Sequence, residues 1–282
     1  MKNHFQILLP KIVLAPGLLL VIIFVYGFIA YSGYLSMTNS RMLPSYDWIG
    51  FSNYFKLFGL RHWGTALNNL VIFSSLYIFL STFIGLFLAI LLDQNIRNEG
   101  IIRPIYLYPM ALSFIVTGVA WKWFLDPGIG IENTIHNWGW ESYHFDWIKN
   151  RKYAIYTLVI AAIWQSSGFV MAIFLAGLRG VDQEIIKAAQ IDGASGFKIY
   201  KRIIIPIIKP IFLSSFVVLS HLSIKSYDLV IAMTGGGPGR ATEMPATFMY
   251  SYTFTRNQMG VGASSSIIML IMIFSIIIPY LY

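Results

Sequence analysis

An all-α integral membrane fold with six transmembrane helices is what this sequence predicts, on three observations. The 282 residues are 57% hydrophobic and only 11% charged, with a mean hydropathy of +0.66, far below the roughly one-quarter charged residues of soluble domains. Six segments reach the ~20 mostly apolar residues that a helix needs to cross ~30 Å of hydrocarbon. The stretches between them alternate in character: 36–65, 126–152 and 234–260 are rich in aromatic, Gly and polar residues, whereas 93–104 is short and 179–206 is a basic island.

The first span, residues 12–35, follows Lys11 and carries no convincing small-x-small cleavage site after Tyr31, so it reads as a permanent span rather than a removable signal. The second, 66–92, opens on Asn68 and Asn69. The third, 105–125, closes near Lys122, and these three polar residues are expected at the interface with their side chains reaching water. The fourth, 153–178, contains the row Trp164-Gln165-Ser166-Ser167-Gly168-Phe169, and the fifth, 207–233, holds His221, Ser223, Lys225, Ser226 and Asp228. The sixth is 261–282. The chain reads as a single transmembrane domain without internal repeats, and an even number of spans puts both termini on one side of the membrane.

Charge sets the expected orientation. With the termini and residues 179–206 in the cytoplasm, ten basic residues fall inside (Lys2, Lys11, Arg97, Arg103, Arg179, Lys187, Lys198, Lys201, Arg202, Lys209) and eight outside, on inner loops that are much the shorter. The net charge of +8 therefore fits loops against anionic headgroups, not nucleic acid, because the cations are dispersed among apolar spans. Trp48, Trp63, Trp138, Trp140 and Trp147 lie in or beside the outer loops, where rings seat at a membrane interface. The absence of cysteine removes disulfides and thiolate metal sites.

The most informative stretch is the polar island between spans four and five. Asp182 is placed to cap a short helix with Glu184 in its first turn, and Ile185, Ala188 and Ala189 then share a face of small and apolar side chains that another protein could approach closely. Gly193 stops that helix. A second begins near Ser195, carries Phe197, Tyr200 and Ile204 on one side and Lys198, Lys201 and Arg202 on the other, and is expected to break at Pro206.

Polar groups inside spans are costly, about 2.5–3.5 kcal/mol each on insertion scales, unless they meet a partner or a wet cavity. Lys225 and Asp228, three residues apart, would pair on a continuous helix. Such a pair could lock two helices together, or the same stripe could line a passage for a hydroxyl-rich solute. The row from Trp164 to Phe169 combines an aromatic face with hydrogen-bonding groups, which sugars need. Ser167 and Gly168 read equally well as small residues in helix packing.

Other chemistries are disfavoured. The run Gly235-Gly236-Gly237-Pro238-Gly239 is a turn, since no Lys-Ser or Lys-Thr follows it and no strand precedes it. His4, His62, His136, His144 and His221 show no metal-ligand spacing with an acidic partner, so no metal site is expected. Catalytic signatures are missing, no cofactor is expected on the chain, and an energy source must come from elsewhere. A self-contained secondary transporter or channel would show an internal repeat or ten to twelve spans. A membrane-embedded acyltransferase-like enzyme would rest on His136 with Glu141.

The motif Ala188-Ala189, three residues, Gly193, nine residues, Ile203-Ile204-Ile205-Pro206 resembles the cytoplasmic coupling signature of binding-protein-dependent ABC transporter permeases, Glu-Ala-Ala-x3-Gly-x9-Ile-x-Leu-Pro. The string Ala188 to Ala194, Ile49 to Tyr54 and Thr234 to Pro238 are similar to those of the sugar importers. Tyr108 to Phe114, Gly168 to Met171 and Pro245 to Tyr250 are similar to glucose and mannose permeases. Together these motifs extend over nearly the whole chain. Two positions depart: Lys187 stands where the family has its glutamate, so that Glu184 or a complementary change on the partner would have to serve, and Ile205 stands for leucine. The chain also ends at Tyr282 without the basic flank of such permeases, so trimming is expected there.

The resemblance implies the type I ABC importer permease fold, with the island as a coupling helix that docks on an ATPase subunit. It implies a second permease subunit, two copies of that ATPase carrying ATP and Mg, an extracytoplasmic sugar-binding protein, and a bacterial inner-membrane location. The implied coupling residues are Glu184, Lys187, Ala188, Ala189, Asp192, Gly193 and Pro206. Implied on the substrate pathway are Gln165, Ser166, Phe169, Ser223 and Ser226, with Lys225 and Asp228 as gating or pairing residues, for a monosaccharide such as glucose or mannose.

Overall fold

The computed structural model describes residues 2–43, 45–94 and 96–281, with side chains from residue 10 onward except residues 12 and 281. The expectations for Lys2, His4 and Tyr282 therefore lie outside the described side chains. In order, the helices are α1 (Lys2–Val21), α2 (Gly27–Ser36), α3 (Ser52–Gly59), α4 (Arg61–Leu92), α5 (Glu99–Ala111), α6 (Phe114–Phe124), α7 (Ile131–Asn137) and α8 (Ala154–Arg179). Then follow α9 (Gln183–Ile191), α10 (Gly196–Ile199), α11 (Ile205–Ile207), α12 (Lys209–Ile224), α13 (Asp228–Met233), α14 (Pro245–Tyr250) and α15 (Met259–Leu281). A π-helical turn joins α1 to α2, another joins α10 to α11, and a third follows α14.

Four stretches are continuous, long and apolar enough to span: Val13–Ser36, Arg61–Leu92, Ala154–Arg179 and Met259–Tyr280. The other two predicted spans are broken. Helices α5 and α6 meet at 99°, and the segment Gly196–Ile207 meets α12 at 64°, so the count is six if each bent pair is one crossing. The first break falls at Leu112, whose ψ of 145° is extended, and the Ser113 side chain then accepts from the Val116 N–H to start α6. The second break falls at Ile208 rather than at Pro206. Pro206 is accommodated inside the first turn of α11, whereas Pro210 at the start of α12 has no N–H and its ring excludes a continuous helix back to the carbonyl four residues earlier. A third interruption, at 225–227, separates α12 from α13.

The chain forms two compact units. One comprises the residues up to Trp63 with Phe248–Ile271, the other Gly64–Thr247 with the chain from Met272. In the first, the buried Asn53 amide donates to the carbonyls of Ser36 and Thr38 at 2.9 and 2.8 Å, fixing the end of α2. Trp63, expected at the membrane interface, is instead buried and packs edge-on against Phe248 with centroids 5.1 Å apart. The exposed side chains of Trp48, Trp138 and Trp140 remain available for that role.

In the second unit the core gathers around α8, whose Leu158, Val170, Met171, Phe174 and Leu175 are all buried. Close approach depends on small residues: a Cβ on Gly118 would lie 2.7 Å from the Ala232 Cβ, which is what lets α6 lie against α13. Asn69, expected to reach water, is buried and donates to the Glu243 carbonyl at 3.0 Å, while Asn68 and Lys122 are exposed.

Candidate functional site

The polar island folds locally as its residues dictate. The Asp182 carboxylate accepts from the Glu184 N–H at 2.9 Å and caps α9. At the other end Gly193 adopts φ +75°, its N–H donates to the Gln190 carbonyl and the Ala194 N–H to the Ala189 carbonyl, both at 3.0 Å. These are the paired bonds of a Schellman stop, which needs the left-handed conformation at its glycine. Glu184, Lys187, Ala188 and Asp192 are exposed, and Ile191 leaves 86% of its surface uncovered. Ala189 does not belong to that outer face: it is turned inward and buried, so the apolar surface offered consists of Ile185, Ala188 and Ile191. Phe197 is also exposed, with the Lys201 ammonium 5.9 Å from its ring centre.

Two contacts tie this island to the start of α5 and the loop before it. Arg179 at the end of α8 donates to Glu99 at 2.7 Å, and the Tyr200 hydroxyl donates to Asp93 at 3.3 Å. The loop after α4 and the island thus lie at one end of the unit, on the same side as the alternating spans require. Sequence reasoning missed these pairs because their partners lie about 80 to 107 residues apart.

A second constellation lies at the interruption in the fifth predicted span. A cavity of ≈160 Å³ is lined by Lys225, Ser226 and Asp228 together with the aromatic side chains of Phe73, Tyr77 and Tyr227. Phe73 and Tyr77 are stacked, with centroids 5.4 Å apart and planes 17° from parallel. The Tyr77 hydroxyl donates to Ser166 at 2.7 Å, and Ser226 donates to the Ser223 carbonyl at 2.8 Å. No Lys225–Asp228 ion pair forms among the described residues, contrary to expectation, because α12 ends at Ile224 and the two side chains no longer share a helix face. Both are exposed. Phe73 and Tyr77 were missed; their signal was an aromatic pair at i, i+4 spacing within an apolar span.

The remaining pathway candidates lie outside this cavity. Gln165 is buried and its amide donates to the Leu112 carbonyl at 2.7 Å, the carbonyl released by the break between α5 and α6. It therefore holds the bend. Phe169 is half-buried on α8. Ser223 is buried and, with Ser220, lines a larger apolar groove of ≈1290 Å³ between α4 and α12.

The expectation that no histidine meets an acid at ligand distance is corrected by the loop around α7. Glu132, His136 and His144 place one ligand atom each within 4.8 Å of the others. The Glu132 carboxyl is held below the usual carboxylate range, first by the hydrogen bond from His144 and then by the Phe145 N–H. Glu141, paired with His136 in the enzyme reading, is exposed and is not part of this group. Nearby, Asp126 is lowered by the Gly128 N–H and then by Lys149, whose ammonium is 3.3 Å away.

Comparison with known proteins agrees with this architecture. Residues 81–282 match the family model of the binding-protein-dependent transport system inner membrane component. The chain is 40% identical over 278 residues to a probable ABC transporter permease protein of Pyrococcus horikoshii, covering 97% of this chain and 95% of that one. It is 34% identical to a xylose/arabinose import permease of Haloferax volcanii, over 93% of this chain and 84% of that one. Among solved structures, a bacterial ABC transporter involved in the import of the acidic polysaccharide alginate superposes with a TM-score of 0.84 at 18% identity, covering 99% of this chain and 97% of that one, which shows a shared fold. A multi-pass helical membrane protein with a capped, exposed island between a continuous fourth span and a broken fifth, this chain belongs to the family of binding-protein-dependent transport system inner membrane components, the ABC transporter permeases.

Proposed function

We propose that this chain is one permease subunit of an ATP-driven sugar importer, forming half of the translocation pathway for a monosaccharide such as glucose or mannose. The observation that carries the reading is the cavity at 225–228, where an interrupted helix inside a span sets an ammonium, a carboxylate and a hydroxyl beside two stacked aromatic rings. Backbone that leaves the helix at membrane depth is tolerated only where it is covered by protein or lines a cavity. Ring faces suit the apolar face of a sugar, and the polar groups suit its hydroxyls. A volume of ≈160 Å³ suits a single sugar ring better than a chain of them.

In this reading Lys225, Ser226 and Asp228 contact the solute, and Ser166 acts through Tyr77. Gln165 holds the bend that shapes the passage, while Phe169 and Ser223 flank the route. Related permeases named for xylose and arabinose, and for trehalose and maltose, support a carbohydrate. The chain itself hydrolyses nothing: α9, with Glu184, Lys187, Ala188 and Asp192 exposed, docks on a cytoplasmic ATPase that supplies ATP and Mg. A second permease, two ATPase copies and an extracytoplasmic sugar-binding protein complete the complex. The termini and α9 then face the cytoplasm of a cell whose inner membrane holds the complex. The test is uptake by the reconstituted complex with a panel of hexoses, pentoses and disaccharides. Saturable ATP-dependent accumulation of a hexose supports the reading, and transport restricted to non-carbohydrates refutes it.

A further inference from the structure

The loop that carries α7 holds a cluster that the transport reading does not use. Glu132 and His136 are four residues apart and so lie on one face of the short helix. His144 returns to that face after the turn at 138–143, bringing its Nδ1 to 3.1 Å from Glu132 Oε1. Two ligands each ~2.0–2.1 Å from a tetrahedral zinc ion stand roughly 3.3 Å apart, so this separation is that of neighbours in one coordination sphere.

The outer partners of such ligands are also in place. His136 Nε2–H donates to the Tyr143 carbonyl at 2.6 Å, which fixes the tautomer and leaves Nδ1 with its lone pair. The Phe145 N–H donates to Glu132 Oε2 at 3.1 Å, which orients the carboxylate and leaves Oε1, now hydrogen-bonded to His144 Nδ1, as the oxygen a cation would take. Glu132 is nearly buried while His144 is open to solvent, so an ion has an entry path to an already anchored carboxylate.

We propose that Glu132, His136 and His144 form a zinc site that pins the 131–145 loop, with a fourth position open to water or to a donor on a docked partner. Two imidazoles and one carboxylate favour Zn²⁺ over the oxygen-seeking Mg²⁺ and Ca²⁺. On binding, the ion replaces the proton now shared between His144 and Glu132, and that proton passes to the exposed His144 Nε2 or to solvent. One ligand atom from each of the three residues lies within 4.8 Å of the others, so closing the set to the ~3.3 Å of a zinc sphere requires the side chains to draw together around the ion.

The test is calorimetric titration of Zn²⁺ into the tag-free, chelator-stripped full chain in detergent, beside His144→Gln and Glu132→Gln. One equivalent should bind, weakened at least about tenfold in each variant, and Mg²⁺ should not compete. Hydrogen exchange should show Zn²⁺ slowing residues 131–146 in the wild type and not in His144→Gln, whose side chain is too exposed for its loss to unfold the loop. No Zn²⁺ binding by the wild type, or unchanged affinity in both variants, overturns the site. Neither result bears on sugar uptake, so the two proposals stand or fall separately.

Discussion

Replacing Gly168 and Gly177 by alanine, one at a time, separates a backbone clash from a side-chain clash on the same helix. Both glycines lie inside α8, so each alanine gains the same helix propensity, about 1 kcal/mol. At Gly168 the new Cβ would stand 2.6 Å from the carbonyl carbon of Tyr106 and closer still to its oxygen. Carbon atoms in ordinary contact are about 3.5–4.0 Å apart, so α5 would have to retreat by roughly 1 Å. Overpacking of this kind costs about 1–3 kcal/mol, and here the obstacle is backbone next to the bend that Gln165 holds through Leu112. At Gly177 the nearest obstacle is the tip of Ile211, which a rotamer change costing about 0.5–1.5 kcal/mol can clear. Gly177→Ala is therefore expected near neutral, and Gly168→Ala, placed at the upper end of the overpacking range, about 2–3 kcal/mol, because its obstacle is backbone, about 1–2 kcal/mol less stable once the propensity gain is subtracted. Thermal melts of the two purified variants in one detergent give the comparison directly. Equal melting temperatures, or a higher one for Gly168→Ala, would refute the close approach of α5 to α8.

Four other outcomes are expected. Gly193→Val should uncouple ATP hydrolysis from uptake while leaving membrane insertion intact, because a β-branched residue at φ +75° costs at least about 1–2 kcal/mol and reshapes the end of α9; coupled transport at the wild-type ratio would remove the docking role. Ser226→Ala should change the relative uptake of different sugars more than it changes assembly, whereas an unaltered substrate profile argues for packing. Lys187→Glu should weaken ATPase binding if the partner presents a complementary acid, read by co-purification, and indifference places the position in solvent. The Asp126 carboxyl has a lowered pKa, so its bonds to Gly128 and Lys149 contribute fully above pH ~4 and are lost as pH falls through the lowered value; hydrogen exchange at Gly128 that is insensitive to acid would contradict this.

How much was legible follows from the range over which each feature is encoded. Spans one, two, four and six are uninterrupted apolar runs, and the structure shows continuous helices there. The stop at Gly193 and the cap at Asp182 are local chemistry and were equally readable. The bends at Leu112 and Ile208 were not, since hydropathy is blind to direction and Pro206, the obvious breaker, sits where a helix start accommodates it. The Lys225–Asp228 pair failed for the same reason, as it assumed a helix that ends at Ile224. Asn69 and Trp63 were misread as interfacial because their partners, Glu243 and Phe248, lie more than 170 residues away. The gathering of Glu132, His136 and His144 depends on a loop return that no periodicity announces.

The central claim is a pathway half without its own motor, driven through α9. It is tested most directly by measuring sugar accumulation in proteoliposomes containing this chain alone and in the complete complex with its ATPase, second permease and binding protein. ATP-dependent accumulation only in the complete complex is the predicted result. Accumulation of sugar by the chain alone would contradict the account.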